Sequence, residues 1–284
     1  MNTIIPKITI VLNVFKRSSV FDLQLHAIRN QSIQPYEILV WENGFEKVPA
    51  HLREGLIISE SNKNFGVWAR FSYALNSEGE YICIFDDDTI PGSRWLENCL
   101  STINSNPGLL GTRGIIFDSK LSYSMYREVG LHNPNERTEQ VDIVGHCWFF
   151  KKVWLEKFWS EFGNKFPDCM AGEDIHFSYA LQKHLDLPTL VPKHPENQLE
   201  FWGSLPKFAN EFGQDQQSLS LKPKSYKKFE DALQHYRSLG FSTMSEKINT
   251  ISKHPPIVYW FIQKFPYLFH KIVKLKNNLN FKKF

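Results

Sequence analysis

The sequence predicts an α/β fold: a Rossmann-like, mixed and mostly parallel sheet flanked by helices, with a helical extension at its carboxyl end. Three observations predict it. Residues 8–44 read as strand, helix, strand, which is a βαβ unit. The run YICIF at 81–85 is apolar throughout, as a strand covered on both faces is. That run ends in Asp86-Asp87-Asp88-Thr89-Ile90-Pro91, so three carboxylates stand at the carboxyl end of a buried strand, where open α/β sheets bind ligands.

The first strand covers 8–12 (ITIVL) and closes in the polar, basic turn Asn13-Val14-Phe15-Lys16-Arg17. A helix over 20–31 carries Phe21, Leu25 and Ile28 on one face. After Pro35 the second strand covers 37–41 and closes in Glu42-Asn43-Gly44; a short third strand covers 56–58. Asn64-Phe65-Gly66-Val67-Trp68-Ala69-Arg70 leads into a helix through Leu75. Gly66 is expected to allow a close approach of backbone to a ligand or to the next element. Arg70 is expected to face a bound phosphate or an acidic loop, the plainer reading being a surface arginine. The Asp-rich strand follows, then a helix over 95–103. No G-x-G-x-x-G motif is present, so a dinucleotide cofactor is not indicated.

The second half is less regular. Strands are expected over 109–117 and 141–150, with a polar, mobile loop at 131–140 between them. A helix starts near 153, and a second opens at Gly172 with Glu173-Asp174 in its first turn. Acids there also complement a helix dipole. A short strand at 189–191 precedes Pro192-Lys193-His194-Pro195, a stiff loop. Glu200-Phe201-Trp202-Gly203-Ser204 adds aromatic surface for a sugar or for packing. We divide the chain into a catalytic domain at 1–206 and a helical, basic and aromatic extension at 207–284. The last thirty residues hold six lysines and no acid, interleaved with aromatic side chains, which suits either a membrane-surface helix pair or a hairpin packed on the domain.

Three adjacent carboxylates repel one another. They call for a solvated turn or a compensating divalent cation. Asp86 and Asp88 are two apart, and in an extended segment they point the same way, so one Mn2+ or Mg2+ ion can be shared between them. The net charge of +3 and the absence of a basic nucleic-acid motif give no reason to expect nucleic acid. Four cysteines without a C-x-x-C pair argue against a disulfide framework or a zinc ribbon and fit a reducing cytoplasm. No signal peptide and no membrane-spanning run are evident.

Taken in order, Phe15-Lys16-Arg17, Ile38 to Gly44, Asn64-Phe65-Gly66 with Arg70, Asp86-Asp87-Asp88-Thr89 and Gly172-Glu173-Asp174-Ile175 resemble the GT-A fold glycosyltransferases of the family-2-like bacterial group, with some likeness to exostosin-type transferases. The resemblance spans about residues 8 to 204. It implies a nucleotide-diphosphate sugar donor, a UDP-sugar by preference, and a divalent metal. It implies that Asp86 and Asp88 hold metal and diphosphate, with Asp87 near the ribose or sugar. His194 falls where some members place a third metal ligand. Glu42 falls where the family has an aspartate on the base. Asn13, Phe15, Arg17, Asn64 and Arg70 complete the implied donor site. Glu173-Asp174 matches the acidic pair whose aspartate is the general base of inverting members. His146, Trp148 and Trp202 are expected on the acceptor side. The acceptor is expected to be a glycan or lipid-linked oligosaccharide of a surface polysaccharide such as lipopolysaccharide or capsule, reached from the cytoplasm or from the inner membrane face. Three alternatives stand beside this reading: a retaining, exostosin-like transferase, a sugar nucleotidyltransferase, and a non-catalytic glycan-binding protein.

Overall fold

The structure, a computed structural model, describes residues 6–44, 46–117, 123, 126–212 and 223–247. The expected βαβ unit is β1 (Ile8–Val14), α1 (Phe21–Arg29) and β2 (Glu37–Asn43). Helix α1 buries Phe21, Gln24, Leu25 and Ile28, a stripe at helical spacing with one polar member. Then come β3 (Ile57–Ser61), α2 (Ala69–Tyr73), β4 (Tyr81–Phe85) and α3 (Trp95–Ser105). Strand β1 pairs in parallel with β2 on one side and β4 on the other, and β2 pairs in parallel with β3. The chain therefore leaves β1 in one direction across the sheet and returns at β4 on the opposite side. Such a reversal leaves a crevice outside the carboxyl ends of the two strands. Asn13 to Arg17 follow from β1 there, and Asp86, Asp87 and Asp88 from β4.

The two strands expected over 109–117 and 141–150 are each broken. The first becomes β5 (Leu109–Leu110) and β6 (Arg113–Phe117). After β7 (Tyr126–Gly130), the second becomes β8 (Glu139–Val141), β9 (Ile143–Gly145) and β10 (Cys147–Lys151). The fragments serve two sheets. The main one has the order β3-β2-β1-β4-β10-β5-β11-β8, with β11 at Thr189–Val191, and the small antiparallel one the order β7-β6-β9. A buried carboxylate fixes one break: Asp142 accepts the N–H groups of Phe117 at 2.7 Å and Met244 at 2.6 Å. An apolar run shows no such change of sheet in sequence. The stretch 131–140, expected as a mobile loop, is tied down. Asn135 and His194, both buried, exchange backbone hydrogen bonds of 3.0 and 2.7 Å.

Helices α4 (Leu155–Ser160) and α5 (Glu173–Leu185) lie against the main sheet through an aromatic cluster. Phe71 of α2 stacks on Phe158 at 4.8 Å and meets Phe177 edge-on at 5.8 Å; Phe150 of β10 meets Phe177 at 4.8 Å. Truncating one such ring to alanine costs about 3–5 kcal/mol. Gly66 permits a close approach to the protein backbone itself. At φ +78 it lets the Val67 N–H donate to the Cys169 carbonyl at 2.9 Å, and an added Cβ would lie 2.0 Å from that oxygen.

Beyond 206 the described chain forms α6 (Pro206–Phe212), α7 (Pro223–Ser238) and α8 (Met244–Lys247). Tyr226, Leu233 and Tyr236 of α7 are buried against Ile115 and Phe117 of β6 and Ile175 and Tyr179 of α5. The described part of the extension thus shares a core with residues before 206. The basic tail at 255–284 lies outside the described residues.

Candidate functional site

The three aspartates occupy a fixed turn. Thr89 N–H closes it on the Asp86 carbonyl at 3.2 Å, so Asp86 and Asp88 are not in an extended segment. The buried Gln24 of α1 donates to the Asp86 and Thr89 carbonyls at 2.7 and 2.8 Å, which is why a polar residue sits on that helix's apolar face. The side chains are not freely solvated: Asp88 is 9% exposed.

Two arginines offset the aspartate charges. Arg17 Nη1 lies 2.6 Å from Asp87 Oδ1 and 3.6 Å from Asp88 Oδ2. Arg70, itself buried, binds Asp86 through Nη1 and Glu173 through Nη2, the latter at 2.8 Å, and its guanidinium lies 4.2 Å over the Trp148 ring. Burial works against the charge of Arg70, but Asp86 and Glu173 more than offset it and hold it protonated. Burial and the adjacent Asp88 push Asp87 up to about 6 against the pull of Arg17. Asp88 is buried too, yet His146 and Arg17 hold it below the usual carboxylate range.

His146 reaches this turn because β10 runs antiparallel to β4. Cys147 pairs with Phe85, so the residue before β10 meets the residues after β4, and the Asp86 N–H donates to the His146 carbonyl at 2.9 Å. His146 has φ +63, a conformation that costs a non-glycine residue about 1–3 kcal/mol and persists where the surroundings impose it. Its Nδ1 stands 3.6 Å from Asp88 Oδ1. One ligand atom each from Asp86, Asp88 and His146 lie within 4.8 Å of one another. Two carboxylate oxygens and one imidazole nitrogen make a group that could hold a divalent metal ion.

Across the Arg70 bridge, α5 opens at Gly172, whose φ of +88 turns the chain into the helix. Glu173 and Asp174 stand in the first turn, and Asp174 Oδ1 accepts the Ile175 N–H at 2.7 Å. Burial and the Asp174 charge push Glu173 up to about 8, against the pull of Arg70. Burial also pushes Asp174 up to about 6, the Ile175 N–H and Arg70 opposing it. Asn13, Phe15, Arg17, Asn64, Arg70, the three aspartates, His146, Trp148 and the Glu173–Asp174 pair all line one cleft of about 400 Å3.

A family model described as glycosyl transferase family 2 matches residues 9–159. The chain belongs to that family. The match covers β1 through most of α4, and with it the crevice and the aspartate turn. Membership makes the protein a glycosyltransferase with a GT-A α/β fold, and it implies a nucleotide-sugar donor and an acceptor. A search of curated proteins found no match.

Three expected site residues of this glycosyltransferase lie elsewhere, and a fourth changes role. Glu42 is fully buried and committed. Its Oε1 accepts from Val48 N–H and Arg53 Nη2, both at 2.8 Å, and Lys47 Nζ stands 3.1 Å from Oε2, so it offers nothing to a base. His194 is not with the aspartates. Its Nδ1 hydrogen-bonds the Pro192 carbonyl at 2.8 Å, its Nε2 meets Thr112 Oγ1 at 3.0 Å and the Gly203 N–H at 3.2 Å, and Trp95 and Trp202 enclose it. Both ring nitrogens are thus used, and no lone pair remains for a metal. Trp202, 3% exposed, donates to the Pro195 carbonyl at 2.7 Å and packs on that histidine, away from any acceptor. His146, expected on the acceptor side, joins Asp86 and Asp88 instead. Trp148 does line the cleft, as the floor under Arg70.

His194→Ala should therefore lower stability by about 2–4 kcal/mol, from a cavity and stranded hydrogen-bond partners, and leave Mn2+ affinity unchanged. Burial depresses the folded-state pKa of His194 from 6.5 to about 4. The unfolded chain gains the proton first as pH falls, so the native state loses this contribution between those two values. The stability gap between wild type and variant, measured by urea denaturation, should shrink over that window. A tenfold loss of Mn2+ affinity would return His194 to the metal site.

Several lining residues escaped the sequence. Asn43, at the end of β2, accepts the Phe65 N–H at 2.8 Å and ties the second strand to the Asn64 turn. Arg113, Tyr123 and Tyr126 come from the small sheet and the turn before β7, and Tyr226 and Phe229 from α7. The apolar and aromatic spacing of Tyr226, Phe229, Leu233 and Tyr236 marks a helix face, but nothing local says that its first turn borders a cleft.

Proposed function

We propose that the protein is a metal-dependent, inverting hexosyltransferase that uses a nucleoside-diphosphate sugar, a UDP-sugar first. One observation carries the reading: the Asp86–Asp88–His146 cluster and the Glu173–Asp174 pair share a cleft, and Arg70 links Asp86 to the buried Glu173. The cleft offers five carboxyl groups and five basic side chains, Lys16, Arg17, Arg70, Arg113 and His146, so its charges come close to balance before any ligand enters. A diphosphate would add further negative charge, so a cation held by Asp86, Asp88 and His146 fits that balance. When bound there, such a cation stabilises the charge that builds on the leaving diphosphate.

The residues of the chain do the remaining work. Arg17, between Asp87 and Asp88, adds positive charge beside the diphosphate. Phe15 offers a ring to the base and Asn13 a hydrogen-bonding edge, with Glu42 excluded. Asp174 accepts the proton of the attacking acceptor hydroxyl; its raised pKa makes it a better base than an exposed aspartate. Glu173, bound to Arg70, anchors the start of the helix that carries Asp174. A single displacement with Asp174 as base inverts the anomeric centre, and proton NMR of the product's anomeric coupling tests that directly.

The test of the whole reading is a thermal-shift panel of UDP-, GDP- and dTDP-sugars with and without Mn2+. Ligand that binds only the folded state raises Tm by mass action. We expect a rise for one nucleotide series, and only with the metal. No rise for any pair would overturn the reading. For the acceptor we propose a glycan or lipid-linked oligosaccharide of a surface polysaccharide, approached from a membrane face. The support is the basic, acid-free composition of 255–284. Among the described residues no helix is long and apolar enough to cross a membrane. Full-length protein should sediment with phosphatidylglycerol vesicles, and protein ending at 247 should not; equal sedimentation would remove the tail from this role.

A further inference from the structure

We propose that the aromatic wall where β6, β7 and α7 meet is the acceptor subsite, and that it takes an uncharged sugar ring stacked on Phe229 and Tyr126. The proposal rests on the transfer reading above and adds the class of group that accepts. The wall lines the same cleft as Asp174 through Arg113, Tyr123, Tyr126, Tyr226 and Phe229. Tyr226 and Phe229 lie beyond the residues that the family model matches, so family membership assigns them nothing.

The rings form a connected surface. Tyr123 stacks on Phe229 with centroids 5.5 Å apart and planes 26° from parallel, and Tyr126 meets Tyr123 at 6.4 Å. Tyr123 and Tyr226 are buried and back the wall, whereas Phe229 and Tyr126 are only partly covered and face the space. The wall lies beside the proposed base. Burial raises the Tyr123 phenol, and the Asp174 charge raises it further; Arg113 in turn pulls Asp174 down.

The polar chemistry of the wall selects the ligand. Arg113 Nε donates to Glu128 Oε2 at 2.7 Å, and Nη2 to the Tyr126 hydroxyl at 3.3 Å. Its charge is matched by Glu128, so the wall offers hydrogen bonds with no net charge to attract a phosphate or a carboxylate. A pyranose has an apolar C–H face for a ring and hydroxyl edges for a guanidinium and a phenol. Stacking against an aromatic face also holds the ring in one plane, which orients one hydroxyl toward Asp174.

The test uses full-length protein and the methyl glycosides of glucose, galactose, N-acetylglucosamine, rhamnose and glucuronic acid as probes. Saturation-transfer NMR reads binding, and UDP binding in Mn2+ is measured separately by calorimetry. At least one uncharged glycoside should bind. Its affinity should fall about fivefold or more in Phe229→Ala and in Phe229→Leu, which keeps apolar bulk without a flat face, and recover in Phe229→Tyr. UDP affinity should be the same in all four proteins. No uncharged glycoside bound, an unchanged affinity in Phe229→Leu, or a preference for the glucuronide would overturn the proposal. Glycoside binding without binding of Mn2+ or of any of UDP, GDP and dTDP would leave the subsite standing and remove the metal-dependent donor reading instead.

Discussion

Asp174→Asn is expected to lower sugar transfer by about 10²- to 10⁴-fold, the range set by removing a positioned general base. The side chain keeps its shape and can still accept the Ile175 N–H, so the opening of α5 should survive. Donor and metal affinities should change little, because Asp174 is not among the ligand atoms near Asp86. The pH profile gives an independent check. With Asp174 pushed up to about 6 and Glu173 up to about 8, the pair titrates as a unit, with apparent values that belong to both. Arg70 and Arg113 oppose the rise, and Tyr123 and Tyr236 feel the charge. A base must be ionised to act, so kcat/KM should fall as pH drops through about 6 in wild type, and that limb should vanish from the residual activity of the variant. Wild-type rates in Asp174→Asn would remove the residue from catalysis and the inverting reading with it.

Asp88→Asn is expected to abolish metal-dependent transfer, by about 10²-fold or more. Asp88 is held ionised although buried, and its charge partners are His146 at 3.6 Å and Arg17 at 3.6 Å. An amide keeps one oxygen but loses the charge that a hard cation needs. Mn2+ titration by electron paramagnetic resonance should show the loss directly. His146→Ala should weaken the metal as well, through loss of the one nitrogen donor. Unchanged Mn2+ affinity in both variants would place the metal elsewhere. Loss of transfer with normal Mn2+ affinity would make Asp88 a donor contact instead.

Removing Arg70 is a different kind of change. It would leave Asp86 and Glu173 without their shared counter-charge in a buried site, at a cost of about 3–5 kcal/mol. An Arg70 variant therefore reports folding as much as function, and the acid variants are the sharper probes.

Much of the fold was legible because each signal was local. The β-branched run at 8–12, the apolar stripe Phe21, Leu25 and Ile28, and the buried run before Asp86 each reflect a residue's own burial. Burial sets periodicity, and periodicity is written in the chain. The acid positions were legible for a related reason: three carboxylates closing a buried strand are too costly to place there without compensation. The breaks at 111–112, 142 and 146 were not legible, since the sheet that a short strand joins is decided by partners from distant parts of the chain. The assignment of His194 failed because a histidine between prolines looks the same whether its nitrogens face a cation or a threonine. The reading of Glu42 failed similarly, because its partners Arg53 and Lys47 are brought to it by the turn after β2.

By itself, then, the sequence determined the strand–helix alternation, the place of the aspartates at a strand end, and the acidic opening of α5. These follow from hydrophobic burial and charge along short stretches. Only the tertiary structure decided which histidine joins the aspartates, what compensates them, and which aromatic rings border the cleft. His146 is there because β10 pairs antiparallel to β4. Arg70 joins both acid groups because α2 carries it between the turn after β4 and the start of α5, and Phe229 arrives from a helix more than a hundred residues after β4. Each of these depends on contacts between distant segments, and no local pattern of residue types encodes the partner of a side chain that lies across a sheet.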